Sequence, residues 1–387
     1  MDRIYLDHNA TTPIDPGVVE AMLAVMREGF GNPSSLHWFG QRARAAVDEA
    51  RGEVARLLGA SPSEIVFTAS GTEADNTALR GVSAAAREPR RKVVYAAIEH
   101  HAVVNSARAL AEEGVPVEVA RAGGDGVVAL DDLRGRVDDR TALVAVMLAN
   151  NETGVVQPVA EVVRMARERG ALVHCDAVQA AGKLPLDVRA LDVDLLAVSA
   201  HKFYGPQGVG ALYVKRGTRM KAWSRGGSQE RGRRAGTENV AGIVGMGRAA
   251  TLAREALDSE VLRLAALRDA LEARLLLIPG ARRNGDGPRV ANTTNVSFAD
   301  LEAESLLMAL DLAGVAVSTG AACAAGAVEP SHVLRGMGLP MERVQGSIRL
   351  SLGRGTTESE VERAAAAVTE AVERQRLLLH ATPSRRR

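Results

Sequence analysis

Lysine is scarce in this sequence: of 48 basic residues only Lys92, Lys183, Lys202, Lys215 and Lys221 are lysines. Cysteine is scarcer still. Cys175 and Cys323 stand alone, so at most one bridge can form and a disulfide framework is excluded. No run of about 18 apolar residues is present, which argues against a helical membrane span. The opening Met1-Asp2-Arg3-Ile4-Tyr5 lacks the basic-then-apolar pattern of a secretory signal. The expectation is a cytoplasmic protein with free thiols. A formal net charge of +1 gives no global field to draw nucleic acid or an anionic membrane surface.

What is present fits a globular chain of two domains. Its 387 residues are 46% apolar and 25% charged, enough for a large buried core. Apolar residues at helical spacing over 41–58 end at Gly59. Short apolar runs then alternate with helical stretches: strands at 65–67, 93–97, 142–148, 171–175 and 194–199, and a helix at 158–169. This predicts an α/β domain whose sheet is mainly parallel and covered by helices on both faces. Residues 257–277 read as one amphipathic helix. Beyond it come strand 293–298, helix 302–312, strands 315–319 and 347–352, and a helix near 358–379. The expectation is a large domain over 16–260, a smaller α+β domain from 1–15 and 261–380, and a disordered tail at 381–387.

Several segments carry chemistry. Lys202 follows the apolar run 194–198 in Ser199-Ala200-His201-Lys202-Phe203-Tyr204-Gly205-Pro206, just past a strand's carboxyl end, where ligands of open α/β sheets bind. An amine there can capture an aldehyde cofactor as a Schiff base. The other four lysines lack a comparable polar, glycine-rich setting. In Val173-His174-Cys175-Asp176, strand alternation puts His174 and Asp176 on one face and turns Cys175 away. That split argues against a metal site. A carboxylate at a strand end suits a protonated pyridine nitrogen, and Gln179 follows within reach of a ring hydroxyl. Thr68-Ala69-Ser70-Gly71-Thr72-Glu73 joins strand to helix and reads as an anion site or a plain helix cap. His100 ends another strand, where an imidazole can stack on a flat cofactor. Asn150-Asn151-Glu152-Thr153-Gly154 is a turn whose amide can meet cofactor or substrate. Cys323 lies among glycines and alanines, poor material for a core and suited to a mobile loop. Arg349, inside an alternating strand, suits bidentate capture of a carboxylate or a structural ion pair.

In this order the segments resemble the cysteine desulfurase family, in the class V aminotransferase branch of fold-type I pyridoxal-phosphate enzymes. The resemblance runs from Tyr5-Leu6-Asp7-His8-Asn9-Ala10-Thr11-Thr12-Pro13 to Arg349-Leu350-Ser351-Leu352-Gly353. It includes Gly31-Asn32-Pro33-Ser34-Ser35, Gly226-Gly227-Ser228-Gln229-Glu230 and Arg234-Ala235-Gly236-Thr237-Glu238-Asn239. The spacing of Cys323 before Glu329-Pro330-Ser331-His332 is similar to the longer-loop group. The resemblance implies a seven-stranded sheet and pyridoxal 5'-phosphate held on Lys202. It implies Asp176 at the pyridine nitrogen, Gln179 at the ring oxygen and His100 stacked on the ring. Gly71, Thr72, Ser199 and His201 would bind phosphate, with Thr237 from the second subunit of a homodimer. Asn151, Arg349 and Asn32 would hold L-cysteine. Cys323 would receive the sulfur as a persulfide, for an iron–sulfur scaffold or a thiolation enzyme. The family often has Ser two residues before the nucleophile; Ala321 stands there in this chain.

Two other readings compete. One is a different pyridoxal-phosphate reaction, as in a selenocysteine lyase or another class V aminotransferase; the latter needs no cysteine. The other is an inactive scaffold in a sulfur-transfer complex. The joint presence of Lys202, Asp176, Cys323 and Arg349 speaks against the scaffold.

Overall fold

The computed structural model describes residues 3–320, 323–324 and 327–381. Its centre is a seven-stranded sheet in the order Ile65–Thr68, Gly210–Val214, Leu195–Ser199, Leu172–Asp176, Thr141–Ala145, Lys92–Ala96, Val117–Ala120. Gly210–Val214 is antiparallel to both neighbours, and the other pairings are parallel. The sheet is therefore mainly parallel, as expected from strands that read as continuous apolar runs. Those runs are buried because helices cover both faces. Val117–Ala120 and Gly210–Val214 were not apparent in the sequence pattern.

The parallel arrangement has one consequence for function. The carboxyl ends of five strands open on the same edge of the sheet. At or just beyond them come Gly71, His100, Asn151, Asp176 and Lys202.

A second core gathers Leu271, Leu275, Phe298, Leu306, Ile348 and Val368, together with Ile4 and Leu6 from the chain start. Its sheet orders Ser347–Ser351, Thr293–Phe298 and Ala281–Arg283, all antiparallel. The N-terminal strand Ile4–Tyr5 pairs in parallel with Val315–Ala316. The expected strand 315–319 is confined to those two residues.

The expected helix 257–277 is the second half of a longer one, Val240–Leu275. Its first half is rich in glycine, which in sequence reads as a poor helix former. Packing reverses that: a Cβ on Gly247 would lie 2.7 Å from Ala50 Cα, so glycine permits close contact with the helix Trp38–Leu58. Asn239 caps the start, its Oδ1 accepting from Gly242 N at 3.1 Å.

The final helix, Glu358–Ala381, takes in the first residue of the expected tail; residues 382–387 lie outside the described residues. So do Ala321, Ala322, Ala325 and Gly326. Cys323–Ala324 pairs with Ala327–Val328 in a two-stranded hairpin. The expectation of a mobile loop falls on 321–328, where the Cys323 side chain lies outside the described part of the structure.

Candidate active site

A cavity of about 370 Å³ lies at the carboxyl edge of the large sheet. Ten of the residues named in the sequence line it: Gly71, Thr72, His100, Asn151, Asp176, Gln179, Ser199, His201, Lys202 and Arg349. Asn32 and Thr237 do not. Asn32 is exposed, its Oδ1 accepting from Ser34 N within its own turn at 2.9 Å. Thr237 is exposed on a separate cleft beside Arg234 and Gly208.

Lys202 sits in a short 3₁₀ turn, Ala200–Lys202, that ends the strand Leu195–Ser199. The turn is held by Tyr204, a non-glycine residue at φ 67°. The hydroxyl of Thr12 receives the Tyr204 N–H at 2.8 Å, and Tyr204 O accepts from Asp15 N at 3.0 Å. The Lys202 amine donates to the carbonyls of Asn9 (2.6 Å) and Ala10 (2.7 Å). Burial and the nearby Arg349 cation lower its pKa to about 8.

Asp176 ends its strand with Oδ1 accepting from Val178 N at 2.9 Å. Burial raises its carboxyl to about 6. Asp75, on the same cavity wall, is raised well above the carboxylate range by burial and by the Asp176 charge. Asp75 Oδ1 lies 2.9 Å from His174 Nε2. Burial takes His174 down to about 3, so the imidazole is neutral.

At the other end the helix Gly71–Ala85 points its N-terminus into the cavity, with Ser70 as cap accepting from Glu73 N at 3.1 Å. Gly71 is required by close approach: a Cβ there would lie 2.7 Å from Val178 Cγ2 and 3.3 Å from Ser199 Cβ. His100 caps the next helix, its Nδ1 accepting from Ala102 N at 3.1 Å. Burial brings its pKa to about 4. A neutral ring with Nδ1 so occupied carries its proton on Nε2 and offers an N–H.

Arg349 comes from the small sheet. Its Nη2 pairs with Asp7 at 2.6 Å and its Nη1 donates to Asn151 O at 2.9 Å, while Nε is buried without a partner. Backbone bonds in both directions join Arg349 to Ser318, which begins the segment leading to Cys323.

Several contributors were missed as site residues in the sequence. Asn9 is buried and its carbonyl takes both Lys202 and Gln179 (Nε2 to O, 2.9 Å). Lys183 corrects the reading that no other lysine has a polar setting: its amine meets Asn9 Oδ1 at 3.0 Å and Gln179 Oε1 at 2.5 Å. His332 lies against His101 with ring centres 4.2 Å apart and planes tilted by 45°, and donates from Nε2 to Glu99 O at 2.8 Å; both imidazoles line the cavity. The spacing of Lys183, four residues after Gln179, was the one signal available, since helical turns bring such residues together.

The donor set fits an anionic aromatic aldehyde. An amine stands between a carboxylate and a helix N-terminus flanked by hydroxyls, and Asn151 Oδ1, on the cavity wall, is buried without a hydrogen-bond partner.

The sequence matches the class-V aminotransferase model over residues 4–364, and the chain belongs to that family. It is 48% identical over 380 residues to a cysteine desulfurase of Trichormus azollae, covering 98% of this chain and 95% of that one. It is 45% identical over 381 residues to the cysteine desulfurase IscS of Methanosarcina thermophila, covering 98% and 94%. A solved NifS-like protein superposes with TM-score 0.90 at 39% identity, over 96% of this chain and 99% of that one. Within its family the chain belongs to the cysteine desulfurases, which depend on pyridoxal phosphate.

Proposed function

We propose that this chain converts L-cysteine to L-alanine and passes the sulfur through a persulfide on Cys323. The observation that carries the reading is the meeting of Lys202, Asp176 and Arg349 in one cavity. Lys202 would hold the cofactor covalently. Asp176 would face its pyridine nitrogen, Gln179 its ring oxygen and His100 its ring. Gly71, Thr72, Ser199 and His201 would take the phosphate. Pyridoxal phosphate supplies, when bound, an electron sink for charge developing at the substrate Cα.

The residues then divide the work. Arg349, aimed by Asp7 and Asn151 O, binds the substrate carboxylate. The Lys202 amine, its pKa lowered to about 8 by burial and the Arg349 cation, would take the Cα proton. The His100 Nε2–H delivers or shares a proton near the departing sulfur. The Cys323 thiolate attacks the substrate sulfur: the Cβ–S bond breaks, an S–S bond forms, and alanine leaves. Cysteine plus enzyme thiol becomes alanine plus enzyme persulfide, with no external oxidant.

A second copy of the chain would bring Thr237 to the phosphate site, which fits its position outside the cavity of its own chain. The sulfur would pass to an acceptor protein such as an iron–sulfur scaffold or a thiolation enzyme. No helix among the described residues is long and apolar enough to cross a membrane, and we assign the enzyme to the cytoplasm.

The test is an absorption spectrum with a sulfide and alanine assay from L-cysteine plus reductant. Wild type should show a visible cofactor band and equal amounts of both products. Lys202→Ala should lose the band, and Cys323→Ala should keep it but release no sulfide. Sulfide from Cys323→Ala at the wild-type rate would overturn the persulfide role.

A further inference from the structure

Lys183 lies behind the cavity, on the same turn-rich segment as Gln179. Its amine has two acceptors, Gln179 Oε1 at 2.5 Å and Asn9 Oδ1 at 3.0 Å. The amine donates to both, so each amide turns its oxygen toward Lys183. The consequence differs for the two. Asn9 then directs Nδ2 at Asn151 O (3.2 Å) and Thr293 Oγ1 (2.9 Å). Gln179 directs Nε2 at Asn9 O, on the cavity wall beside Lys202. With the amide reversed, Gln179 would offer the cavity an acceptor, and two N–H groups would face each other at 2.5 Å.

We propose that Lys183 is a positioning residue that fixes the amide of Gln179, so that an N–H and not a carbonyl faces the ring oxygen of the cofactor. The proposal rests on the reading that Gln179 meets that oxygen. Lys183 forms no ion pair among the described residues. The charged and titratable groups around it are Lys202, Arg349, His8 and His201, with Tyr204, Glu260 and Arg354 across a second cavity of about 30 Å³ that Lys183 also lines. Burial and the two cations push its pKa well below the usual lysine range.

The test uses cofactor-loaded enzyme without substrate and follows the visible band against pH. Loss of a donor to the ring oxygen favours keeping a proton beside it, so the midpoint rises. Gln179→Met and Lys183→Met should each raise it by about one pH unit, the size of one charge-assisted hydrogen bond. The double variant should shift no further than either single, because both remove the same donor. Lys183→Gln, which keeps an N–H donor, should shift it less, and carries the comparison if Lys183→Met does not fold. An unmoved midpoint in both Lys183 variants, with Gln179→Met shifted, overturns the proposal while leaving the Gln179 assignment intact. An unmoved midpoint in Gln179→Met overturns that assignment and the proposal with it. A merely structural lysine would lower the melting temperature and leave the midpoint in place.

Discussion

Arg349 reaches Asp7 across 2.6 Å, joining a strand of the small sheet to the second residue after the N-terminal strand. The guanidinium is almost fully buried, and Asp7 is its one carboxylate partner among the described residues. A fixed guanidinium presents its remaining edge to a carboxylate with little loss of freedom on binding. Asp7→Asn should therefore raise KM for L-cysteine by about 10- to 100-fold, the range of a hydrogen bond to a charged group. The change in kcat should be smaller. Steady-state kinetics at fixed ionic strength check this, and an unchanged KM would remove Asp7 from substrate binding.

The lowered pKa of Lys202 predicts how the cofactor-free enzyme loads. Below about pH 8 the amine is protonated and has no lone pair to attack an aldehyde. The loading rate with pyridoxal phosphate should rise with pH and level off above about 8. A free lysine would continue to gain up to about 10.4. Stopped-flow absorbance across pH 6–10 separates the two.

Glu152 is buried, its Oε2 accepting from Ser331 Oγ at 2.5 Å and lying where a Cβ on Gly320 would meet it. Burial raises its carboxyl to about 7. A raised acid pKa contributes stability that is complete below the unfolded value near 4.5 and is lost as pH climbs through 7. Glu152→Gln does not titrate. Its stability relative to wild type should grow between pH 5 and pH 8, by up to about 3 kcal/mol. Denaturant unfolding at the two pH values measures the difference.

Arg51 and Glu230 form a buried bidentate pair at 2.7 and 2.8 Å, with Glu230 also accepting from Phe67 N at 2.9 Å. Removing one partner strands the other's charge. Arg51→Met should cost about 3–5 kcal/mol, read as a lower denaturation midpoint with an unchanged slope. Because Phe67 belongs to the sheet's edge strand, loosening should begin there, visible as faster amide exchange over Ile65–Thr68.

Much of the large domain was legible because its strands are buried on both faces and read as unbroken apolar runs. The run 194–198 led directly to Lys202, and alternation along 173–176 separated Asp176 from Cys175. The helix Val240–Leu275 was half hidden, since its glycines look like breakers until the partner helix they accommodate is known. Strand Gly210–Val214 opens on a glycine and gave no clear period. Thr237 and Asn32, drawn from the family resemblance, lie outside the cavity of the chain that carries them.

Local sequence determined the chemistry at each strand end: an amine after one, a carboxylate on another, a glycine-opened helix after a third. Those are properties of a few adjacent residues and of backbone alternation. Only the tertiary structure decided that Asn9 would sit among Lys202, Gln179, Lys183 and Asn151, about 140 to 190 residues away along the chain. It also decided that Lys183, one of five lysines, would be held without a carboxylate partner among the described residues. A pattern of periodicity records which face of an element is apolar. It holds no record of which distant polar groups meet there, because hydrogen-bond partners are chosen by packing in three dimensions.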